Sequence, residues 1–160
     1  MVTMSNETRK LIGIISDTHG LVRPEALKAL KGVEMILHAG DIGKQEVLDT
    51  LNQIAPVVAV RGNNDKANWA EVLPDAQTVK AGEVSIYILH DLKEIDINPP
   101  EAGFRVVVSG HSHKPSVTEQ NGVLYVNPGS AGPRRFKLPV TLAHLHVLRK
   151  KVQAKIIELQ

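Results

Sequence analysis

The chain alternates short apolar runs with polar clusters, and the rhythm of those runs changes halfway along. "LIGIIS" (residues 11–16) has strand length and stops at the polar "DTHG". "RPEALKALKG" predicts a helix, with Pro24 near its start and Gly32 just past its end. "VEMILH" (residues 33–38) predicts a second buried strand running into "AGD". Val47, Leu48, Leu51 and Ile54 recur at helical spacing in "KQEVLDTLNQI", and "PVVAV" predicts a third strand that ends at "VRGNND". Beyond this point the pattern is mostly strand. "TVKAGEVSIYILH" predicts two strands around Ala81-Gly82, and "FRVVVSG" predicts another. "SVTEQNGVLYV" carries a hairpin signature at Asn121-Gly122, and "VTLAHLHVLRKKVQAKIIEL" alternates as strands with a turn near Lys150. The order βαβαβ followed by β implies layered sheets with helices packed outside. No repeat, linker or low-complexity tract interrupts residues 1–160, which read as one domain.

Composition narrows the chemistry. A chain of 160 residues with 42% hydrophobic content suits a soluble globular domain. The polar opening "MVTMSNETRK", with no apolar run of signal-peptide or membrane-spanning length behind it, points to a cytoplasmic protein without a membrane partner. The absence of cysteine removes disulfides, thiolate ligands and a cysteine nucleophile together, so any metal must use nitrogen and oxygen donors. A net charge of +2 and 3% aromatics give no strong nucleic-acid signal.

The polar clusters all fall at the C-terminal ends of predicted strands. Asp17 and His19 follow the first, Asp41 the second, and Asn63, Asn64 and Asp65 the third; His90, His111 and His113 follow strands of the second half. In open α/β sheets those ends share one edge, where ligands bind. Taken singly, each has a plain structural reading: Asp-x-His as a turn with a surface histidine, Asp41 as a helix cap, His90 as a structural histidine. "GHSH" is more specific, because Gly110 permits a tight turn from which both histidines can face one centre. Together, two carboxylates, four histidines and an asparagine suit two ions of Mn, Fe, Zn, Co or Ni sharing a bridging carboxylate.

"DTHG", "AGD", "GNND", His90 and "GHSH", in this order, resemble the calcineurin-like metallophosphoesterases over residues 11 to about 148. "VNPGSAGPRR" is similar to their small bacterial and archaeal phosphodiesterase subgroup. The resemblance implies a four-layer α/β/β/α sandwich of two mixed β-sheets flanked by helices. It implies that Asp17, His19 and His113 hold one metal, that Asn63, His90 and His111 hold a second, and that Asp41 bridges them. The cofactor would be two divalent ions, Mn2+ first, and a bridging hydroxide would attack the phosphorus of a small phosphodiester substrate.

The chain departs from the family pattern in two places. No acid stands three residues after Asp41, and Asn64 occupies the place where many phosphomonoesterase relatives keep an acid-base histidine. Asn64 can donate a hydrogen bond but cannot deliver a proton near neutral pH. Asp41, Asn63 and Asn64 thus form the expected catalytic set, with diesters carrying good leaving groups favoured over alkyl monoesters. The rival readings are a non-catalytic protein-interaction scaffold on the same fold, and a phosphomonoesterase or nuclease using the same site. A homo-oligomer is left open. His38 reads equally as a structural or a catalytic residue, and Arg134 and Arg135 as phosphate clamps or loop cations. Asp65 is expected to cap a helix in "KANWAEVL", with orientation of Asn64 as the alternative; Trp69 reads as packing or pocket rim. His144 and His146 are expected on a strand face outside the site.

Overall fold

A computed structural model describes residues 9–159, in two five-stranded sheets packed face to face. Residues 1–8, which carry most of the polar opening, lie outside the described residues. The first sheet is built on β1 (Lys10–Ile15), β2 (Met35–His38) and β3 (Val57–Ala59), which run parallel. Its other flank is β9 (Thr141–Leu148) and β10 (Lys151–Glu158), both antiparallel to their neighbours, giving the order β10-β9-β1-β2-β3. Parallel strands need crossovers, and α1 (Pro24–Ala29) and α2 (Gln45–Asn52) supply them. Pro24 stands in the first turn of α1, where a missing N–H costs nothing. Val47, Leu48 and Leu51 bury one stripe of α2 against the sheet.

The second sheet has the order β4-β5-β6-β8-β7. β5 (Val84–Leu89), β6 (Val106–Val108) and β8 (Val123–Asn127) are its parallel centre, and β4 (Ala76–Ala81) and β7 (Ser116–Gln120) its antiparallel edges. Asn121 and Gly122 turn β7 into β8 with φ of 51° and 80°, and Gln120 pairs with Val123. Two positive φ values in a two-residue loop match the twist of the strands they join.

Period-two alternation decides which side chains meet between the sheets. Ile12, Ile14, Ala143, Leu145 and Val147 come from one sheet; Ile86, Ile88, Val106, Val108, Leu124 and Val126 come from the other. A second cluster lies under α1 and α2 and includes Ile15, Leu30, Ile36 and Leu142. A third, around Tyr87, Leu89, Val107 and Val123, lies on the outer face of the second sheet. Only a single turn of 3₁₀ helix (Leu92–Glu94) and the short α3 (Pro99–Ala102) stand on that side, so the fourth layer of the sandwich is thin.

The "KANWAEVL" segment is not a helix capped by Asp65. It forms one 3₁₀ turn, Asn68–Ala70, whose preceding residue is Ala67. Asp65 is buried and its carboxylate is already engaged, accepting from the backbone N–H groups of Ile42, Gly43 and Gly62 at 3.1, 3.1 and 2.9 Å. It ties the loop after β3 to the loop after β2, and its side chain caps no helix.

Candidate metal centre

Loops leaving β1, β2, β3, β5 and β6 meet at one edge of the sandwich. They are sewn together by main-chain bonds: Asp17 N–H to Gly40 O (3.0 Å), His19 N–H to Asp41 O (3.0 Å), and Gly110 N–H to His90 O (2.9 Å). Such close approach constrains the backbone. Gly40 has φ of +100°, and a Cβ there would stand 2.8 Å from His90 Nδ1. A Cβ on Gly110 would strike Ser16 and stand 2.7 Å from Asp17 Oδ2. Neither position accepts a side chain without displacing a candidate ligand. Asp17, His19, Asp41, His111 and His113 themselves lie in the left-handed region, with φ of 55°, 47°, 55°, 72° and 63°. For non-glycine residues this conformation costs on the order of 1–3 kcal/mol each, and it persists where the surrounding structure enforces it.

The side chains converge in two sets whose donor atoms lie within 4.8 Å of one another: Asp17, His19 and His113, and Asp17, Asp41 and His90. Asp17 is the pivot. Its Oδ2 accepts from Ser16 Oγ (2.6 Å) and His111 N–H (3.1 Å). Its Oδ1 is fully buried, accepts no hydrogen bond, and faces the Nε2 atoms of His113, His19 and His90 at 3.4, 3.8 and 3.9 Å. His19 Nε2 and His113 Nδ1 are likewise buried without a partner. Buried polar atoms left unpaired cost free energy, so Asp17 Oδ1 and His19 Nε2, which face each other at 3.8 Å without a partner among the described residues, fit a cation that none of the protein groups supplies.

Asp41, a member of the second set, also approaches the first, its Oδ2 3.3 Å from His90 Nε2 and 3.9 Å from His19 Nε2. Both donors of Asn64 go to it, the backbone N–H to Oδ1 at 2.9 Å and the amide Nδ2 to Oδ2 at 3.0 Å. Burial raises the Asp41 pKa, but hydrogen bonds from His90 and Asn64 more than offset this and hold the carboxyl well below the usual range. His90 donates Nδ1–H to Ala39 O at 2.7 Å, which fixes the ring and points Nε2 at the two carboxylates. Burial pulls its pKa down, yet Asp41, Asp17 and the Ala39 carbonyl raise it to about 8. His113 is held below its ordinary value by burial, with Asp17 opposing and Arg135 reinforcing the shift. His111 lies further out, its Nδ1 3.3 Å from His90 Nε2. Asn63 is exposed and shares with His90 and His111 the lining of a cleft of about 490 Å³.

Several residues outside the ligand set have clear positions. His38 is fully buried; its Nδ1 accepts from Gly40 N–H (3.1 Å) and its Nε2–H donates to Thr18 Oγ1 (3.0 Å), which donates to Ile42 O (2.9 Å). Burial, reinforced by His90, lowers its pKa to about 3, so it is a neutral strut between two loops. Arg134 and Arg135 are exposed, and the charge of Arg135 is felt at His113. Trp69 packs against the cluster under the helices. His144 donates Nε2–H to Ala29 O at 2.7 Å, and neither it nor His146 joins the ligand sets. Sequence reasoning did not single out Asn127, whose Nδ2 donates to Gly110 O (3.0 Å) and Ser112 Oγ (3.1 Å) while Oδ1 accepts from Gly129 N–H (2.9 Å). Its position at the end of β8, on the same edge as the histidines, was the available signal.

Residues 11–150 match the calcineurin-like phosphoesterase superfamily domain. The chain belongs to that family. It is 35% identical to a probable metallophosphoesterase of Methanothermobacter thermautotrophicus over 158 residues, covering 92% of this chain and 91% of that protein. It is 26% identical to a phosphodiesterase of Methanocaldococcus jannaschii over 166 residues, covering 92% of this chain and 99% of that protein. Among solved structures, Vacuolar Protein Sorting 29 from Cryptosporidium parvum shares the fold with a TM-score of 0.76 at 21% identity, covering 95% of this chain and 98% of that one. Among the described residues, no helix is long and apolar enough to cross a membrane.

Proposed function

We propose that this metallophosphoesterase, acting as one domain over residues 1–160, hydrolyses phosphate diesters at a centre of two divalent ions, manganese first. The observation that carries the reading is the buried, unpaired Oδ1 of Asp17 facing three imidazole nitrogens at 3.4–3.9 Å. In this reading Asp17, His19 and His113 hold one ion, Asn63, His90 and His111 hold the other, and Asp41 serves both. The position of Asp41 Oδ2 between His90 and His19, one imidazole from each set, supports that bridging role. Bound ions would neutralise phosphate charge and lower the pKa of water towards about 7.

The protein's own residues do the rest. Asp41 is held ionised by the hydrogen bond of His90 and by Asn64, which donates to both of its oxygens. Asn64 therefore has its amide committed to the carboxylate and brings no titratable proton to a leaving group. This favours diesters whose leaving group departs without protonation, in keeping with the named phosphodiesterase relative. The scaffold alternative draws only on likeness of fold to Vacuolar Protein Sorting 29, and the full complement of candidate ligands argues against it. The test is hydrolysis by chelator-treated protein resupplied with Mn2+. Bis-p-nitrophenyl phosphate is expected to be cleaved faster than p-nitrophenyl phosphate, and the reverse order would overturn the diester assignment.

A further inference from the structure

The cleft that opens onto Asn63, His90 and His111 has a composition unlike the rest of this basic chain. Its walls carry Asp75, Asp91, Glu94 and Asp96, and the one lysine or arginine on its lining among the described residues, Arg61, is already bound to Asp75 through Nε and Nη2 (3.2 and 3.0 Å). Among the described residues Glu94 and Asp96 have no ion-pair partner, and Asp91 faces only the imidazole of His111, Oδ2 to Nε2 at 3.8 Å. Tyr87, only 9% exposed, lines the same cleft, and its hydroxyl has no hydrogen-bond partner among the described residues. Its ring is anchored edge-on to Phe104 with centroids 5.2 Å apart, and Asp96 is close enough to act on it electrostatically. A cleft of about 490 Å³ lined by a nine-tenths buried tyrosine ring and by carboxylates, of which Glu94 and Asp96 have no ion-pair partner among the described residues, suits a cation with an apolar body. At His113, by contrast, the strongest charge felt after that of Asp17 is the cation Arg135. Asn64, which occupies the leaving-group position in the family pattern, is not on the cleft lining, so the cleft serves the ester arm that stays on phosphorus.

We infer that the retained arm of the substrate diester carries a short cationic group of the alkylammonium class, seated between Tyr87 and the carboxylates of Asp91, Glu94 and Asp96. This rests on the diesterase reading above. An anionic arm is disfavoured by repulsion, and a neutral arm gains nothing from the charged walls.

The experiment compares three diesters that share p-nitrophenol as leaving group, with a choline, an ethyl and a carboxyethyl group as the retained arm. Exposed charge pairs are individually weak, so three together are expected to raise kcat/KM for the choline diester about tenfold over the ethyl one. The carboxyethyl diester is expected to be the slowest, and the spread should shrink at high salt as the Debye length falls. In Glu94→Gln/Asp96→Asn the choline-to-ethyl ratio should fall towards one. In the metal-free protein, where no turnover occurs, phosphorylcholine should shift the Tyr87 ring resonances, and the double variant should lose that shift. A choline-to-ethyl ratio of one or less in the wild type, an unchanged ratio in the double variant, or an unmoved Tyr87 overturns the inference while leaving diester hydrolysis intact. Failure to cleave any of the three with any divalent ion overturns the diesterase reading, and this inference with it.

Discussion

At the scale of single residues, Asn64 and His38 show how position changes what a side chain can do. Asn64 donates twice to Asp41, so the residue that stands in for an acid-base histidine instead sets the charge and aim of a neighbouring carboxylate. Asn64→His restores an imidazole there and is expected to raise the ratio of monoester to diester rates by about a hundredfold, at the lower end of the span of general acid catalysis. An unchanged ratio would remove Asn64 as the origin of substrate preference. His38 gives a pH signature of stability. Its folded pKa of about 3 lies below the ordinary 6.5, so the unfolded chain binds the proton that the folded one refuses. Stability is therefore complete above about 6.5 and is lost as pH falls towards 3, by about 1.4 kcal/mol per pH unit at the steepest from this group. Urea midpoints measured across that window should flatten in His38→Gln relative to wild type; parallel curves would contradict the strut. Candidate ligands were legible because Asp, His and Asn recur at the ends of five strands that share one edge, although each alone has a structural reading. The role of His38 was not, because its partner Thr18 lies 20 positions away and no local pattern links them.

At the scale of elements, strands and the two crossover helices were readable because hydrophobic period and turn chemistry agree. Asn121-Gly122 marks its hairpin, and the valine-rich run of β6 marks a strand buried on both faces. The expected helix after Asp65 failed because a tertiary demand took the would-be cap: three N–H groups, two of them more than 20 residues upstream in sequence, claim that carboxylate. Loops here are positioned by such cross-ties more than by their own sequence. Asn127 is the clearest instance, holding the Gly110–Ser112 turn from β8. Asn127→Ala is expected to destabilise the fold by about 1–3 kcal/mol and to weaken metal affinity about 10- to 100-fold. Leu145→Ala, in the core between the sheets, should cost about 2–5 kcal/mol with metal affinity little changed. Urea titration with metal-binding isotherms for both variants separates the two effects, and equal losses of affinity would show that Asn127 acts only through global stability.

At the scale of the whole molecule, two sheets bring five loops to one edge, and the strain held there has a use only if something binds. Five candidate ligands sit in left-handed backbone, and three of them bring buried atoms without partners. A cation that binds the folded state alone offsets this, stabilising it by about 2.7 kcal/mol at a hundred times its Kd. The order of strands and helices predicted layered sheets and the family resemblance implied the four-layer sandwich, but the thin fourth layer was not foreseeable, because short 3₁₀ and one-turn helices carry almost no periodic signal. The most direct test of the account is to measure metal content and bis-p-nitrophenyl phosphate hydrolysis side by side in the wild type and in Asp41→Asn. Two ions per chain are expected in the wild type. The variant is expected to lose at least one of them, with a rate about a hundredfold lower or less. Unchanged metal content together with an unchanged rate would contradict the shared role of Asp41 and, with it, the two-ion centre.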